Sequence, residues 1–379
     1  MDASSELIHS LLPIFMTAVL GASMVTVGLI EGVAEATAAM LKVFSGALSD
    51  RLGNRKLLLV LGYGLGAITK PLFPLAPSVG WVFAARFVDR VGKGIRGAPR
   101  DALVADLVPE RLRGAAYGLR QSLDSMGGAL GPLVAIVLLA WLIVDIRMAL
   151  WVAVIPAALA VFVLVIAVRE PERATHATPR APIRFADARR LTARYWLVVV
   201  LGAVLTLARF SEAFLVLRAA DLGLAVAWVP AVMVVMTIVY AAVSYPAGIA
   251  FDGGHRRALL FWGLAALVAA DLILAAAASL PMLFLGVALW GLHMGLTQGL
   301  LATLVAATAP SDLRGTAFGI FNLVSGGTLL VASVLAGALW QTLGPAATFY
   351  AGAAFTGVAL AGLMAYRSPT LHLTGGATR

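Results

Sequence analysis

Apolar residues run through this chain in long blocks, and short polar clusters divide one block from the next. A helix that crosses a bilayer needs about 20 mostly apolar residues. Twelve segments reach roughly that length: 7–23, 25–48, 56–76, 79–100, 115–141, 147–168, 193–217, 226–250, 256–278, 281–307, 315–340 and 345–366. The pattern predicts an all-α membrane protein of twelve transmembrane helices.

Four of these spans carry charge. Span 4 holds Arg86, Asp89, Arg90, Lys93, Arg96 and Arg100, three or four residues apart and so mostly along one broad helical face. Span 2 holds Glu31, Glu35 and Lys42, span 5 holds Arg120 and Asp124, and span 7 holds Arg209 and Glu212. A charge at the centre of a lipid-facing helix costs roughly 2.5–3.5 kcal/mol by insertion scales. So many charges cannot face lipid; they must turn toward a protein interior or a watery path enclosed by the helices.

The loops give the orientation. Those after spans 2, 4, 6, 8 and 10 all contain Arg, whereas those after spans 1, 3 and 9 contain no charge. By the positive-inside rule the Arg-bearing loops are cytoplasmic, and with an even number of spans both termini are cytoplasmic too. The opening MDASSELIHSLLPIF lacks a basic leader, so no cleavable signal peptide is expected.

The chain divides in two. PERLRGAAYG at 109–118 recurs as PSDLRGTAFG at 310–319, and Asp50 in GALSDR has a counterpart in Asp252 of GIAFDG. Six spans per half give both copies the same orientation, a parallel repeat. The expected units are 1–168 and 193–379, two pseudo-symmetric six-helix bundles around a central cavity. Segment 169–192, rich in Arg and Pro, is the cytoplasmic linker between them.

Composition agrees with this picture. The 379 residues are 61% hydrophobic and 12% charged, against about 45–50% and about 25% in soluble domains. The absence of cysteine excludes disulfides and thiolate chemistry. The net charge of +9 lies mainly in the loops, where topology requires it, so nucleic acid is not an expected partner. Gly92-Lys-Gly94-Ile-Arg-Gly97 fits a dinucleotide fingerprint, but it follows no strand; its glycines instead suit close helix packing. No phosphate-binding Gly-Lys-Ser/Thr loop occurs, which argues against an ATP-driven pump.

Twelve spans in two repeats, with GALSDRLGNRK between spans 2 and 3, resemble the major facilitator superfamily. The resemblance rests on Gly46, Asp50, Arg51, Gly53, Arg55 and Lys56, and a second copy keeps Gly248, Asp252, Arg256 and Arg257. Arg86 and Gly92 fit the family's span-4 pattern, with Asp89 and Arg90 in place of its Gln and Gly. Gly127, Gly131 and Pro132 are similar to the span-5 motif of proton-coupled exporters, without its trailing glycines. The resemblance implies a cavity lined by spans 1, 2, 4, 5, 7, 8, 10 and 11 that opens to one side at a time, with Asp50 helping to lock the cytoplasmic side.

Candidate roles follow from charge and depth. Arg86, Arg90, Arg120 and Arg209, with His293 and Gln298 on span 10, are the candidate substrate ligands. Glu31, Glu35, Asp89, Asp124 and Glu212 are the candidate proton carriers. Glu31 and Glu35 lie one turn apart, a spacing at which mutual repulsion keeps one carboxyl protonated, and Glu35 is the deeper. Arg120 with Asp124 and Arg209 with Glu212 have spacings for intrahelical ion pairs. Asp50, Arg51, Arg55, Arg96, Arg100 and Asp252 are candidate gate residues, with Arg96 and Arg100 expected to pair with Asp50, Asp101 or Asp106. Met233, Met236, His293 and Met294 suit either a soft metal such as Cu(I) or plain packing, and no resident metal or other cofactor is expected.

The expected protein is therefore a secondary transporter of the cell inner membrane and not an enzyme. It moves a small organic solute, anionic or zwitterionic, by alternating access as a monomer, with proton-coupled antiport and efflux as the expected mode. The alternative is an uptake permease for a nutrient anion or copper. A non-transporting receptor ranks last, because the chain carries no appended soluble domain.

Overall fold

The computed structural model describes residues 1–365 apart from 53, 110–111, 143–144, 169, 171–184, 298–299 and 311–312, and a few helical side chains, including those of Asp50, Arg51 and Asp252, also lie outside the description. Among the described residues all regular structure is helical. The first half contains α1 (Asp2–Ile14), α2 (Met24–Leu52), α3 (Arg55–Thr69), α4 (Val79–Leu107), α5 (Arg113–Val137), α6 (Ile146–Val152) and α7 (Val154–Ala167). The second contains α8 (Ala193–Ala208), α9 (Ala213–Asp221), α10 (Ala231–Asp252), α11 (Arg256–Ala276), α12 (Leu280–Thr297), α13 (Leu300–Thr308), α14 (Arg314–Leu343) and α15 (Pro345–Ala365). Nine spans among the described residues are long and apolar enough to cross a membrane. The expected segments 7–23, 56–76 and 79–100 are largely helical as well, but they are shorter, interrupted or richer in charge. Most of the expected linker 169–192 lies outside the described residues.

Local chemistry sets the helix ends. Asn54 accepts a hydrogen bond from Leu57 N, and Glu170 accepts from the backbone N–H groups of Arg55 and Lys56, so the start of α3 has its free donors satisfied. Thr192 caps α8 through Tyr195 N. The repeat seen in the sequence is also a repeat of helix starts. Arg55, Val79 and Arg113 begin helices, and so do Arg256, Leu280 and Arg314, each 201 residues later. Leu112 and Leu313 precede α5 and α14 with the same backbone angles, φ −108° in each, and their N–H groups bond back to Pro109 O and Pro310 O.

Hydrophobic packing differs between the two ends of the molecule. One large core joins both halves: Leu11, Phe15, Val27, Ile30 and Leu139 meet Phe210, Phe214, Met233, Trp340 and Phe349. Toward the end that bears Arg55, Arg113, Arg256 and Arg314, the smaller cores each belong to one half. Leu59, Leu103 and Leu164 form one, Tyr195, Val305 and Phe321 another, and Leu264, Ala247 and Leu363 a third. The halves are thus sealed together at the end opposite the Arg-rich one and separately packed at the Arg-rich end.

Small residues make the seal. A Cβ on Gly28 of α2 would stand 2.1 Å from Ser333 O of α14, and one on Gly337 of α14 would stand 2.4 Å from Met24 O. Close backbone approach through small residues is how helices associate in lipid, where burial of apolar surface gives no drive. Gly92 and Gly94 play the same part within the first half, where α4 meets Gly62 of α3 and Leu41 of α2. Gly28→Leu should therefore pry the sealed ends apart. Val25 N lies 3.4 Å from Gln341 Oε1 across this seam, and the chain has no native cysteine. A Val25→Cys/Gln341→Cys pair should cross-link readily on oxidation, and adding Gly28→Leu should lower that yield severalfold, as read on a reducing versus non-reducing gel.

Candidate functional site

Between the halves, on the Arg-rich side of the seal, lies a cavity of about 410 Å³. Glu6 and His9 reach it from α1, Glu35 from α2, and Arg90 and Lys93 from α4; Thr206, Arg209, Ser211 and Glu212 enter from span 7, Trp290 from α12, and Asn322 and Ser325 from α14. Of the eight spans expected to line it, 1, 2, 4, 7, 10 and 11 do so, while spans 5 and 8 do not.

The wall from the first half is a ladder of ion pairs built on α4. Arg86 Nη2 donates to Glu31 Oε2 at 2.8 Å, with both side chains almost wholly buried. His9 bridges two acids: Nε2 is 3.6 Å from Glu31 Oε2 and Nδ1 is 3.4 Å from Glu6 Oε2. One turn nearer the opening, Arg90 pairs with Glu35 at 3.0 Å, and Glu35 keeps 30% of its side chain exposed. Asp89, on another face of α4, pairs with Lys70 at 2.9 Å, and Lys70 also donates to Ser5 Oγ at 3.0 Å. Arg96 lies 3.8 Å from Asp2 and stacks over the Tyr63 ring.

The mutual repulsion expected of Glu31 and Glu35 is replaced by separate interhelical pairing with Arg86 and Arg90. Arg86, Glu31 and Asp89 lie one layer beneath the cavity wall, while Arg90 and Glu35 are on it.

Nearer the Arg-rich end a second network ties α4 to α5. Arg120 meets Asp101 at 3.0 Å and Asp124 at 3.4 Å, and Arg100 meets Asp124 at 3.3 Å. Lys42 approaches Asp101 at 3.8 Å, and Arg55 pairs with Asp106 at 3.1 Å. Arg120 and Asp124 therefore do not face the cavity. Arg96 pairs with Asp2, not with the loop acids expected for it, because its face of α4 is turned toward the start of α1. Asp50, Arg51, Asp252 and Gln298 lie outside the described side chains.

The second half contributes a break. Span 7 stops at the end of α8 and resumes at α9, and the Arg209 backbone (φ −105°, ψ 68°) has left the helical region. The ion pair expected between Arg209 and Glu212 assumed a continuous helix. With the helix interrupted no such pair forms, and both groups face the cavity without an ion-pair partner among the described residues. Interrupted helices of this kind commonly form transporter binding sites, because their backbone ends are free to meet a ligand. His293 is 1% exposed and its Nδ1 is 2.8 Å from Gly263 O, so it sits behind the wall. Met233 and Met236 are packed into the shared core.

Glu6, His9 and Lys70 were not among the sequence candidates. Glu6 and His9 share one helical face at i, i+3, a signal readable in the chain. Lys70 stands at the end of a helix whose other charges, Arg55 and Lys56, are at its start, and there a solvated anchor is the ordinary reading.

An all-helical chain whose two repeated halves enclose a polar, charge-lined cavity is built as a multi-pass membrane transporter. The profile of the Major Facilitator Superfamily matches residues 1–326 and 199–377, and the chain belongs to that family. It is a membrane transporter of the MFS type and not an enzyme, so its substrate is a small molecule. An uncharacterized MFS-type transporter of Methanocaldococcus jannaschii is 32% identical over 360 residues, 93% of this chain and 88% of the relative. A probable 4-methylmuconolactone transporter of Cupriavidus pinatubonensis is 34% identical over 150 residues, covering 39% of this chain and 35% of that protein. The crystal structure of the nucleoside transporter NupG superimposes with a TM-score of 0.76 at 14% identity, covering 96% of this chain and 95% of that one, which shows a shared fold.

Breaking a buried ion pair strands a charge, at a cost of about 3–5 kcal/mol. Arg86→Met should lower the thermal stability of the detergent-purified protein accordingly. Adding Glu31→Gln should restore much of the loss, since no uncompensated charge then remains.

Proposed function

We propose that this chain is a proton-coupled secondary transporter of a small organic anion in the cell inner membrane. On this reading twelve spans form two six-helix bundles, 1–168 and 193–379, joined by a cytoplasmic linker at 169–192, and both termini are cytoplasmic. The monomer works by alternating access. The structure described above is then the state open to the cytoplasm, with the opposite end closed.

The observation that carries the proposal is the pairing inside the cavity. Arg209 enters without a carboxylate partner, and Lys93 is exposed beside Arg90. Arg90 is held by Glu35, whose carboxylate is open to water. An incoming carboxylate or phosphate can bind Arg209 and Lys93 and displace Glu35 from Arg90. A carboxylate that loses its guanidinium partner takes up a proton more readily. Anion and proton then bind together and leave together.

This sign of coupling is symport, so the inward proton gradient drives uptake. Export by antiport is the second reading, favoured by the span-5 glycines. In the structure Gly131 serves packing, since a Cβ there would stand 2.6 Å from both Ala3 O and Leu7 N of α1. The relative named for a lactone is consistent with a small organic solute.

Proteoliposomes given a panel of labelled organic anions on the outside separate the readings. Symport predicts accumulation when the outside is acid, and antiport predicts accumulation when the inside is acid. A charge-assisted hydrogen bond is worth about 1.5–3 kcal/mol, so Arg209→Ala should raise the half-saturating concentration about 10–100-fold. Glu35→Gln should abolish gradient-driven accumulation yet preserve anion exchange between the two sides. Full gradient-driven accumulation in Glu35→Gln would remove Glu35 from the coupling.

A further inference from the structure

Asp271 lies in the last third of α11, five residues before its end, 0% exposed, and neither carboxyl oxygen has a hydrogen-bond partner among the described residues. It is surrounded by Leu267, Ala270 and Leu274 of its own helix, all fully buried. On the facing side is Gly352 of α15, where an added Cβ would stand 2.7 Å from Asp271 Oδ2 and 3.2 Å from Phe210 Cε1. Phe210 belongs to the break in span 7 and lines the cavity. The acid is therefore one aromatic ring away from the cavity.

The internal repeat sharpens the observation. The contact between spans 3 and 4 recurs between spans 9 and 10: Gly62 abuts Arg96, and Gly263 abuts Thr297, 201 residues on in each case. The same offset carries Lys70 to Asp271 and Asp89 to Trp290. In the first half these positions form the buried Lys70–Asp89 pair. In the second half the acid has moved to the other helix and an indole occupies its partner's place.

Charged groups on the surrounding elements are all engaged elsewhere or turned away. Arg218 of α9 donates to Leu274 O and Ala277 O and pairs with Asp221. Arg209 and Glu212 flank Phe210 on the cavity side. His293 of α12 is bonded to Gly263 O, and α15 contains no charged residue. An isolated carboxylate in apolar surroundings costs so much that such a group ordinarily holds a proton.

We infer that Asp271 is a second proton-binding site of the transporter, and that Phe210 gates its exchange with the cavity. The chemistry is a proton transfer between a carboxyl oxygen and cavity water, opened when the 209–212 break shifts the ring aside. This site goes beyond the anion–proton coupling at Glu35, and its test needs no substrate.

Infrared spectra of the purified protein, taken near pH 7 where exposed carboxylates are ionised, should contain a C=O band of a non-hydrogen-bonded carboxylic acid. Asp271→Asn, nearly isosteric, should remove that band, and Glu35→Gln should leave it. On transfer to D2O the band should shift slowly in the native protein and faster in Phe210→Ala. Thermal melting of Asp271→Asn should match the native protein, because no charge or partner is lost. A spectrum unchanged by Asp271→Asn would overturn the site, and equal exchange rates in Phe210→Ala and native protein would overturn the gate. Failure of anion transport would leave both results standing.

Discussion

A charge within a membrane span must find its counter-charge inside the protein, and α4 is where this chain meets that demand. Arg86 and Arg90 draw their partners from α2, Asp89 from the end of α3, Arg96 from the start of α1 and Arg100 from α5. Apolar burial does not hold helices together when the surrounding solvent is itself apolar. Packing of small residues brings the helices close, and the ion pairs select which face of each helix meets α4. The bundle of the first half is arranged around that one charged helix.

Depth then separates the pairs by what they can do. Arg86–Glu31 is sealed, and opening it would strand two charges at a cost no small solute repays. Arg90–Glu35 has the same chemistry one turn closer to the opening, but water reaches Glu35 and a solute can replace it. A switch and a strut therefore differ here by access to the cavity and not by residue type. The opposite wall needs no such pairing. The break between α8 and α9 lets Arg209 and Glu212, both half-buried, reach the cavity without an ion-pair partner among the described residues.

Hydropathy made the helical segments legible, because lipid imposes a length and a composition that no loop imitates. The inward direction of Arg86, Asp89 and Glu35 was legible for the same energetic reason. Their partners were not. Spacing along one helix suggested Glu31 against Glu35 and Arg209 with Glu212, whereas the actual contacts of Glu31 and Glu35 cross between helices and the helix carrying Arg209 stops before Glu212. Lys70 could not be told from an interfacial anchor until Asp89 was seen beside it. Asp271 was overlooked for the opposite reason: a lone acid in an apolar span makes no pattern, and only the offset to Lys70 gives it one.

That offset also bears on how the two halves came to differ. A duplicated buried pair can lose its charges in steps, but each step alone leaves one charge uncompensated. A cation left behind has no neutral form within easy reach when it is Arg, and a costly one when it is Lys. An acid left behind becomes neutral by taking a proton. At the position equivalent to Lys70 the second half retains an acid, and at the position equivalent to Asp89 it has Trp290, which faces the cavity and packs beside Phe210. Where the first half has a rigid ionic strut, the second half thus has an unpaired acid behind an aromatic wall, beside the break in span 7.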